Sequence, residues 1–205
     1  MNHGWIKQVA AVAAASLALV GLCRAEAVPG QPAPALALVD ANGRAVSLAD
    51  FRGKYVVIEW TNPHCPFVRK HYDSGNMQRL QKSLAAPDLI WLTVNSTAAS
   101  HPEYMNPQAL AGWIRQNEAA PTAVLLDADG KVGRGYGART TPHMYVIDPR
   151  GRVAYAGGID DKRSTQIADV KTARNFVAQA MEELRAGKPV STASALPYGC
   201  SIKYQ

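Results

Sequence analysis

Cysteine is the side chain with the most chemistry to offer in this sequence, and Cys65 is the one best placed to use it. It lies in the run Glu59-Trp60-Thr61-Asn62-Pro63-His64-Cys65-Pro66-Phe67-Val68. The apolar, β-branched residues Tyr55-Val56-Val57-Ile58 before it predict a strand, and Pro66 with the mixed pattern beyond it predicts the start of a helix. The sulfur then stands at a helix N-terminus, where unpaired N–H groups and the helix dipole favour the thiolate. A thiolate attacks peroxides and disulfides, so the chemistry expected here is redox.

The chain holds two further cysteines, Cys23 and Cys200. Cys23 falls in a leader. Lys7 supplies a positive start, Val9 to Leu22 is an apolar run, and Ala25-Glu26-Ala27 is a small-x-small cleavage signal. The run is short for a membrane span, and Leu22 stands where a lipoprotein signal wants a small residue, so no lipid anchor is expected on Cys23. Residues 1–27 are thus read as a signal peptide, 28–188 as one domain and 189–205 as a tail. The expected location is periplasmic or secreted, with no stable membrane insertion after cleavage.

In an oxidising compartment Cys65 and Cys200 are free to pair. One reading is a staple holding the tail to the body; the other is a reactive couple in which Cys200 resolves what Cys65 starts. The helix start at Cys65 and the glycine-containing stretch Pro197-Tyr198-Gly199-Cys200 favour the couple. The net charge of +6 is scattered and no aromatic platform accompanies it, which argues against nucleic acid as a partner.

The elements that must position these residues follow from pattern. Ala35–Val39 and Ala45–Leu48 flank Asp40-Ala41-Asn42-Gly43 as a hairpin. Tyr55–Trp60, Leu89–Val94 and Thr122–Leu126 read as strands, and Met144–Ile147 and Arg152–Ala156 as a second hairpin around Asp148-Pro149-Arg150-Gly151. Helices are expected from Pro66 to about Leu84, over Pro107–Asn117, near Lys131–Tyr136, and over Ile167–Leu184. This alternation implies an α/β fold, a central mixed β-sheet flanked by helices.

The order of elements resembles the thioredoxin fold. More closely, the chain resembles the peroxiredoxin-like branch of the redoxin (alkyl hydroperoxide reductase and thiol-specific antioxidant) family. The resemblance rests on Asn62-Pro63-His64-Cys65-Pro66-Phe67-Val68, Thr141-Pro142, the second hairpin, Gly158-Ile159-Asp160-Asp161 and the ending Gly199-Cys200-Ser201-Ile202-Lys203-Tyr204. It implies a cis peptide at Pro142 that faces Thr141 toward the sulfur, where its backbone can pair with an extended substrate. Glu59, six residues before Cys65, takes the place of a buried carboxylate that exchanges protons with the thiols; a half-exposed strand acid is the other reading. The resemblance implies a peroxide, or a protein or small-molecule disulfide, as oxidant, a thiol reductant, and no cofactor.

Two departures matter. Val68 stands where thioredoxins carry a second cysteine, so the resolving thiol must come from elsewhere. Asn62 and Ile58 stand where peroxiredoxins place Thr or Ser and Pro, which leaves Thr61, Asn62, Pro66 and Arg69 as expected substrate contacts. His64 reads as a surface residue, and Arg69 and Lys70 as positive charges near the thiolate or as solvated helix charges. A thioredoxin-fold copper or zinc carrier using Cys65, His64, His71, His143 and Cys200 is a second class, and a non-catalytic binding module a third. Val190–Ala195 is expected to be irregular. Leu196, Tyr198, Ile202 and Tyr204 are expected to anchor the tail on its own domain and bring Cys200 to Cys65.

Overall fold

A computed structural model describes residues 26–204. The expected leader lies outside these, except that Glu26 and Ala27 are included; Ala27 is buried and its N–H donates to the Tyr136 carbonyl. Nine strands are present among the described residues: β1 (Ala37–Asp40), β2 (Ala45–Ser47), β3 (Tyr55–Trp60), β4 (Leu89–Asn95), β5 (Ala123–Leu126), β6 (Thr140–Thr141), β7 (His143–Ile147), β8 (Val153–Gly157) and β9 (Cys200–Ser201). Five α-helices accompany them: α1 (Pro66–Asp73), α2 (Asn76–Leu84), α3 (Pro107–Gln116), α4 (Lys131–Tyr136) and α5 (Phe176–Arg185).

Seven strands form one sheet in the order β2-β1-β5-β4-β3-β7-β8. β3, β4 and β5 run parallel at its centre, and the outer pairs are antiparallel. The mixed α/β sheet expected of a thioredoxin-like fold is therefore present. Alternation along each strand splits the apolar residues into two cores. Val57, Trp91, Met144 and Val146 face α1, α2 and α5, together with Cys65, Val68 and Tyr72. Val56, Ile58, Trp60, Leu92, Tyr145 and Ile147 face the opposite side, with Leu36, Tyr136 and Ile202.

Three expectations need correction. The helix from Pro66 to Leu84 is two helices: Gly75 takes a left-handed φ of 69°, and its N–H closes on the Tyr72 carbonyl. The break redirects α2 so that Met77, Leu80 and Leu84 join the core on the Cys65 side. The helix expected over Ile167–Leu184 is a short 3₁₀ turn (Ile167–Lys171) followed by α5, whose start is set by the Asn175 side chain accepting from the Ala178 N–H.

The third correction concerns one anchor of the tail, Leu196, which is exposed; the rest of the tail docks on its own domain as expected. Val190–Ala195 is irregular apart from a bridge at Ser194, but it is docked: the Ala156 N–H donates to Ala193 O, and the Ala195 N–H to Ala156 O. Past Pro197 the chain inserts Tyr198 and Ile202 as buried anchors and lays β9 antiparallel on β6, with Thr141 opposite Cys200. The Tyr204 hydroxyl donates to the Ala138 carbonyl, while Leu196 stays 64 % exposed. Two glycines make this approach possible. A Cβ on Gly157 would overlap Ala195, and one on Gly199, at φ 137°, would overlap the Thr141 carbonyl.

Candidate active site

β3 delivers the chain to Thr61, and a turn through Asn62 hands it to α1. The Asn62 side chain organises that turn: its Oδ1 accepts from the His64 N–H at 2.9 Å, and its Nδ2 donates to Glu103 at 2.7 Å. Both arms of Asn62 are thus engaged. His64 is exposed and Pro66, also exposed, is the first helical residue, which leaves Cys65 as the N-cap of α1. Cys65 is only 1 % exposed, and its thiol donates to the Thr141 carbonyl at 3.0 Å.

Thr141 arrives from β6, and the Thr141–Pro142 peptide is cis. The Thr141 hydroxyl is buried and makes no hydrogen bond. Across from Thr141 stands Cys200, near enough to Cys65 for the two thiols to interact. Burial, and then the neighbouring Cys65 sulfur, push the Cys200 thiol up to about 12. Two cysteines far apart in the sequence therefore meet at one carbonyl.

Glu59 lies in β3 and is fully buried among neutral donors. The Tyr72 hydroxyl donates to Oε1 at 2.9 Å; the Trp91 indole N–H and the Thr93 hydroxyl each donate to Oε2 at 3.2 Å. Burial outweighs these bonds and raises its pKa to about 7. Thr61, at the end of the same strand, adds a weaker contact to this carboxylate. The half-exposed reading of Glu59 is thereby corrected. Arg69 is on the outer face of α1, its guanidinium 3.4 Å from Asp73.

Lys70 and His71 differ most from their expected places. Lys70, read as a charge near the thiolate or in solvent, is buried. Its ammonium donates to the Lys162 carbonyl at 2.7 Å and to the Tyr198 hydroxyl at 3.4 Å, and lies 3.8 Å from Asp160 Oδ2. Burial pulls its pKa down, and Asp160 opposes that. His71 lies 3.9 Å from the same carboxylate oxygen, but burial and then the Lys70 charge hold its pKa at about 3, so it is neutral.

Hydrogen bonding identifies the His71 tautomer. Nδ1 accepts from the Asn76 amide at 2.8 Å, so Nε2 carries the proton and donates to Tyr198 at 3.3 Å. The Tyr198 hydroxyl in turn donates to Asp160 Oδ1. Sequence reading missed this cluster. Its signals were the motif Gly158-Ile159-Asp160-Asp161 and a tyrosine two residues before Cys200.

The side chains considered for a metal do not converge. His143 stacks on Tyr145 with ring centroids 4.7 Å apart, and burial holds its pKa at about 3; His71 faces Asp160; His64 is in solvent. Among the described residues no group of three or more His, Cys, Asp and Glu side chains could hold a metal ion.

Residues 29–156 match the AhpC/TSA family. Among solved structures, the chain is similar to an uncharacterized conserved protein from Geobacillus kaustophilus (25 % identity, TM-score 0.75, covering 87 % of this chain and 93 % of that one). A hypothetical protein from Sinorhizobium meliloti 1021 shares the fold at 24 % identity and TM-score 0.70, over 87 % of this chain and 95 % of its own. A candidate thiol:disulfide interchange protein DsbE from Chlorobium tepidum aligns at 25 % identity and TM-score 0.52, over 63 % of this chain and 84 % of its own. No curated protein matches the sequence.

Proposed function

The chain belongs to the AhpC/TSA family, and on that premise we propose that it is an exported thiol oxidoreductase with Cys65 as the attacking sulfur and Cys200 as the resolving one. One observation carries this reading: the Cys65 thiol is bonded to the Thr141 carbonyl at 3.0 Å while β9 sets Cys200 opposite the same residue. The leader read at residues 1–27 supports export, into a compartment where such a pair can cycle.

With a hydroperoxide, the Cys65 thiolate attacks one peroxide oxygen. An S–O bond forms as the O–O bond breaks, and the departing oxygen takes up a proton and leaves as an alcohol or water. Cys65 is then a sulfenic acid. The Cys200 sulfur attacks it, an S–S bond forms, and the sulfenic oxygen leaves as water with the Cys200 proton. With a disulfide oxidant, a mixed disulfide on Cys65 takes the place of the sulfenic acid and a thiol is the leaving group. In both cases an external thiol reductant returns two electrons.

The environment of Cys200 orders these steps. Burial, more than the neighbouring Cys65 sulfur, pushes the Cys200 thiol up to about 12, so it stays protonated and leaves the first attack to Cys65. Glu59, with a pKa of about 7, is suited to hold or yield a proton near neutral pH on the Cys65 side of the sheet.

Stopped-flow oxidation of the reduced protein by hydrogen peroxide and by a model disulfide, with thiols counted by mass, tests the reading. Both thiols should disappear together without a covalent dimer. Cys200→Ser should complete the first attack and stall at a trappable sulfenic acid or mixed disulfide. Consumption of oxidant by Cys65→Ser at the wild-type rate would refute the assignment.

A further inference from the structure

An extended polypeptide that brings its disulfide to a sulfur beside a strand edge must pair with that edge through backbone hydrogen bonds. The edge next to Cys65 is β6, and the chain's own C-terminal strand already lies on it, with Thr140 opposite Ser201 and Thr141 opposite Cys200. The Ile202 N–H, donating to the Arg139 carbonyl, extends the contact by another residue. Gly199 rests so closely on the Thr141 carbonyl that no side chain fits between them. Under this cover Cys65 is 1 % exposed.

We propose that β9 is a built-in occupant of the substrate edge and that, while it is docked, Cys65 is open to small hydroperoxides and closed to polypeptide disulfides. The proposal rests on the reading of Cys65 as the attacking sulfur and names its substrate class. Tyr198 is the fastening: two residues before Cys200, its hydroxyl is bonded into the buried Asp160, Lys70 and His71 cluster, and its ring packs on Phe67 at 5.9 Å. A buried hydrogen bond to a carboxylate is among the stronger neutral-donor contacts a side chain makes, so the tail is held rather than merely laid down.

The second, independent observation is the Thr141 hydroxyl. It is buried without a hydrogen-bond partner, on the residue whose carbonyl holds the Cys65 thiol. Buried hydroxyls are rarely left unmatched, and one here is a donor available to a small polar guest. A hydroperoxide oxygen supplies the acceptor and needs only a gap of water width. A disulfide embedded in a polypeptide brings its flanking chain with it and must displace β9 to arrive.

The test measures access to Cys65 in the Cys200→Ser protein, residue by residue, by mass spectrometry. Iodoacetamide and a maleimide on a long polyethylene glycol read access without any redox step; hydrogen peroxide and a polypeptide disulfide read the chemistry. Gly199→Ala forces β9 off Thr141, and Tyr198→Phe cuts the fastening without touching β9. Either variant should raise the bulky-to-small labelling ratio and the polypeptide exchange rate by about tenfold, equal to about 1.4 kcal/mol of docking free energy. The hydrogen peroxide rate should change by less than about threefold, within what one altered hydrogen bond does to a local opening. Hydrogen exchange at the Ile202 amide reports release, and if Gly199→Ala fails to fold, Tyr198→Phe carries the comparison alone.

An unchanged labelling ratio with a released Ile202 amide would overturn the gate. So would a wild-type protein that exchanges with the polypeptide disulfide as fast as its released variants. Size-selective labelling with no oxidation by peroxide in any variant would instead overturn the hydroperoxide assignment, and with no disulfide exchange in any variant the thiol oxidoreductase reading as well, while the steric gate stood.

Discussion

Glu59 and Asp160 are both buried carboxylates, and they are held in opposite ways. Glu59 has neutral donors on both oxygens and no cation, so desolvation dominates and its pKa rises to about 7. Asp160 has Lys70 3.8 Å from Oδ2, which makes no hydrogen bond, and receives the Tyr198 hydroxyl and the Lys162 N–H on Oδ1. The partners of Glu59 come from the neighbouring strand β4 and from α1, within the body of the fold. Those of Asp160 come from its own loop, from α1 and from the tail, segments far apart in the sequence. The first arrangement tunes a proton; the second joins segments.

Breaking the joint should have the largest effect. Asp160→Asn leaves Lys70 buried without its counter-charge and should cost about 3 kcal/mol or more in urea unfolding. Adding Lys70→Met should recover most of that loss, since removing both charges is close to neutral where removing one is not. An Asp160→Asn protein as stable as wild type would show that Asp160 does not join these segments.

Glu59 predicts a pH dependence of similar size. It binds its proton more tightly folded than unfolded, so stability is fullest below the unfolded value of 4.5 and is lost as pH rises through about 7. A rise of this size corresponds to about 3 kcal/mol between those limits. Glu59→Gln should remove that slope and be at least as stable as wild type at pH 8, because an amide can accept from Trp91 and Thr93 and donate to Tyr72. A slope that survives in Glu59→Gln belongs to other groups.

Tyr72→Phe sharpens the comparison by removing one neutral donor. It should cost about 1 kcal/mol and move the midpoint of the pH transition upward, since the Tyr72 bond lowers the Glu59 pKa. Smallest of all should be Arg69→Ala. Its pairing with Asp73 is exposed on the same helix that buries Lys70, and pairs of that kind contribute less than about 1 kcal/mol. A slowed peroxide reaction in Arg69→Ala, at unchanged stability, would show that its charge acts on the oxidant.

What the sequence disclosed depended on how local the signal was. The strand Tyr55–Trp60 ending at Cys65, the central strand Leu89–Asn95 and the hairpin around Pro149 all carry their pattern within a few residues, and each is present. The break at Gly75 was local too, but a continuous apolar spacing on both sides concealed it. Lys70 and His71 were illegible for a different reason. A charged residue in a helix reads as solvated unless its counter-charge is known, and Asp160 and Tyr198 lie some 90 and 128 residues further on. The same holds for the tail: composition showed it to be irregular, and only the β6 and β8 edges explain where it goes.

That covered β8 edge has a consequence for how the protein behaves at high concentration. β8 ends the sheet, and an open strand end presents unpaired amides and carbonyls to any other strand it meets. Here residues 30–32 bond along its first part and residues 193–195 along its last, while the opposite edge, β2, is only three residues long. Detaching the tail would uncover part of that adhesive border. The segment that closes the active site therefore also keeps the molecules from sticking to one another.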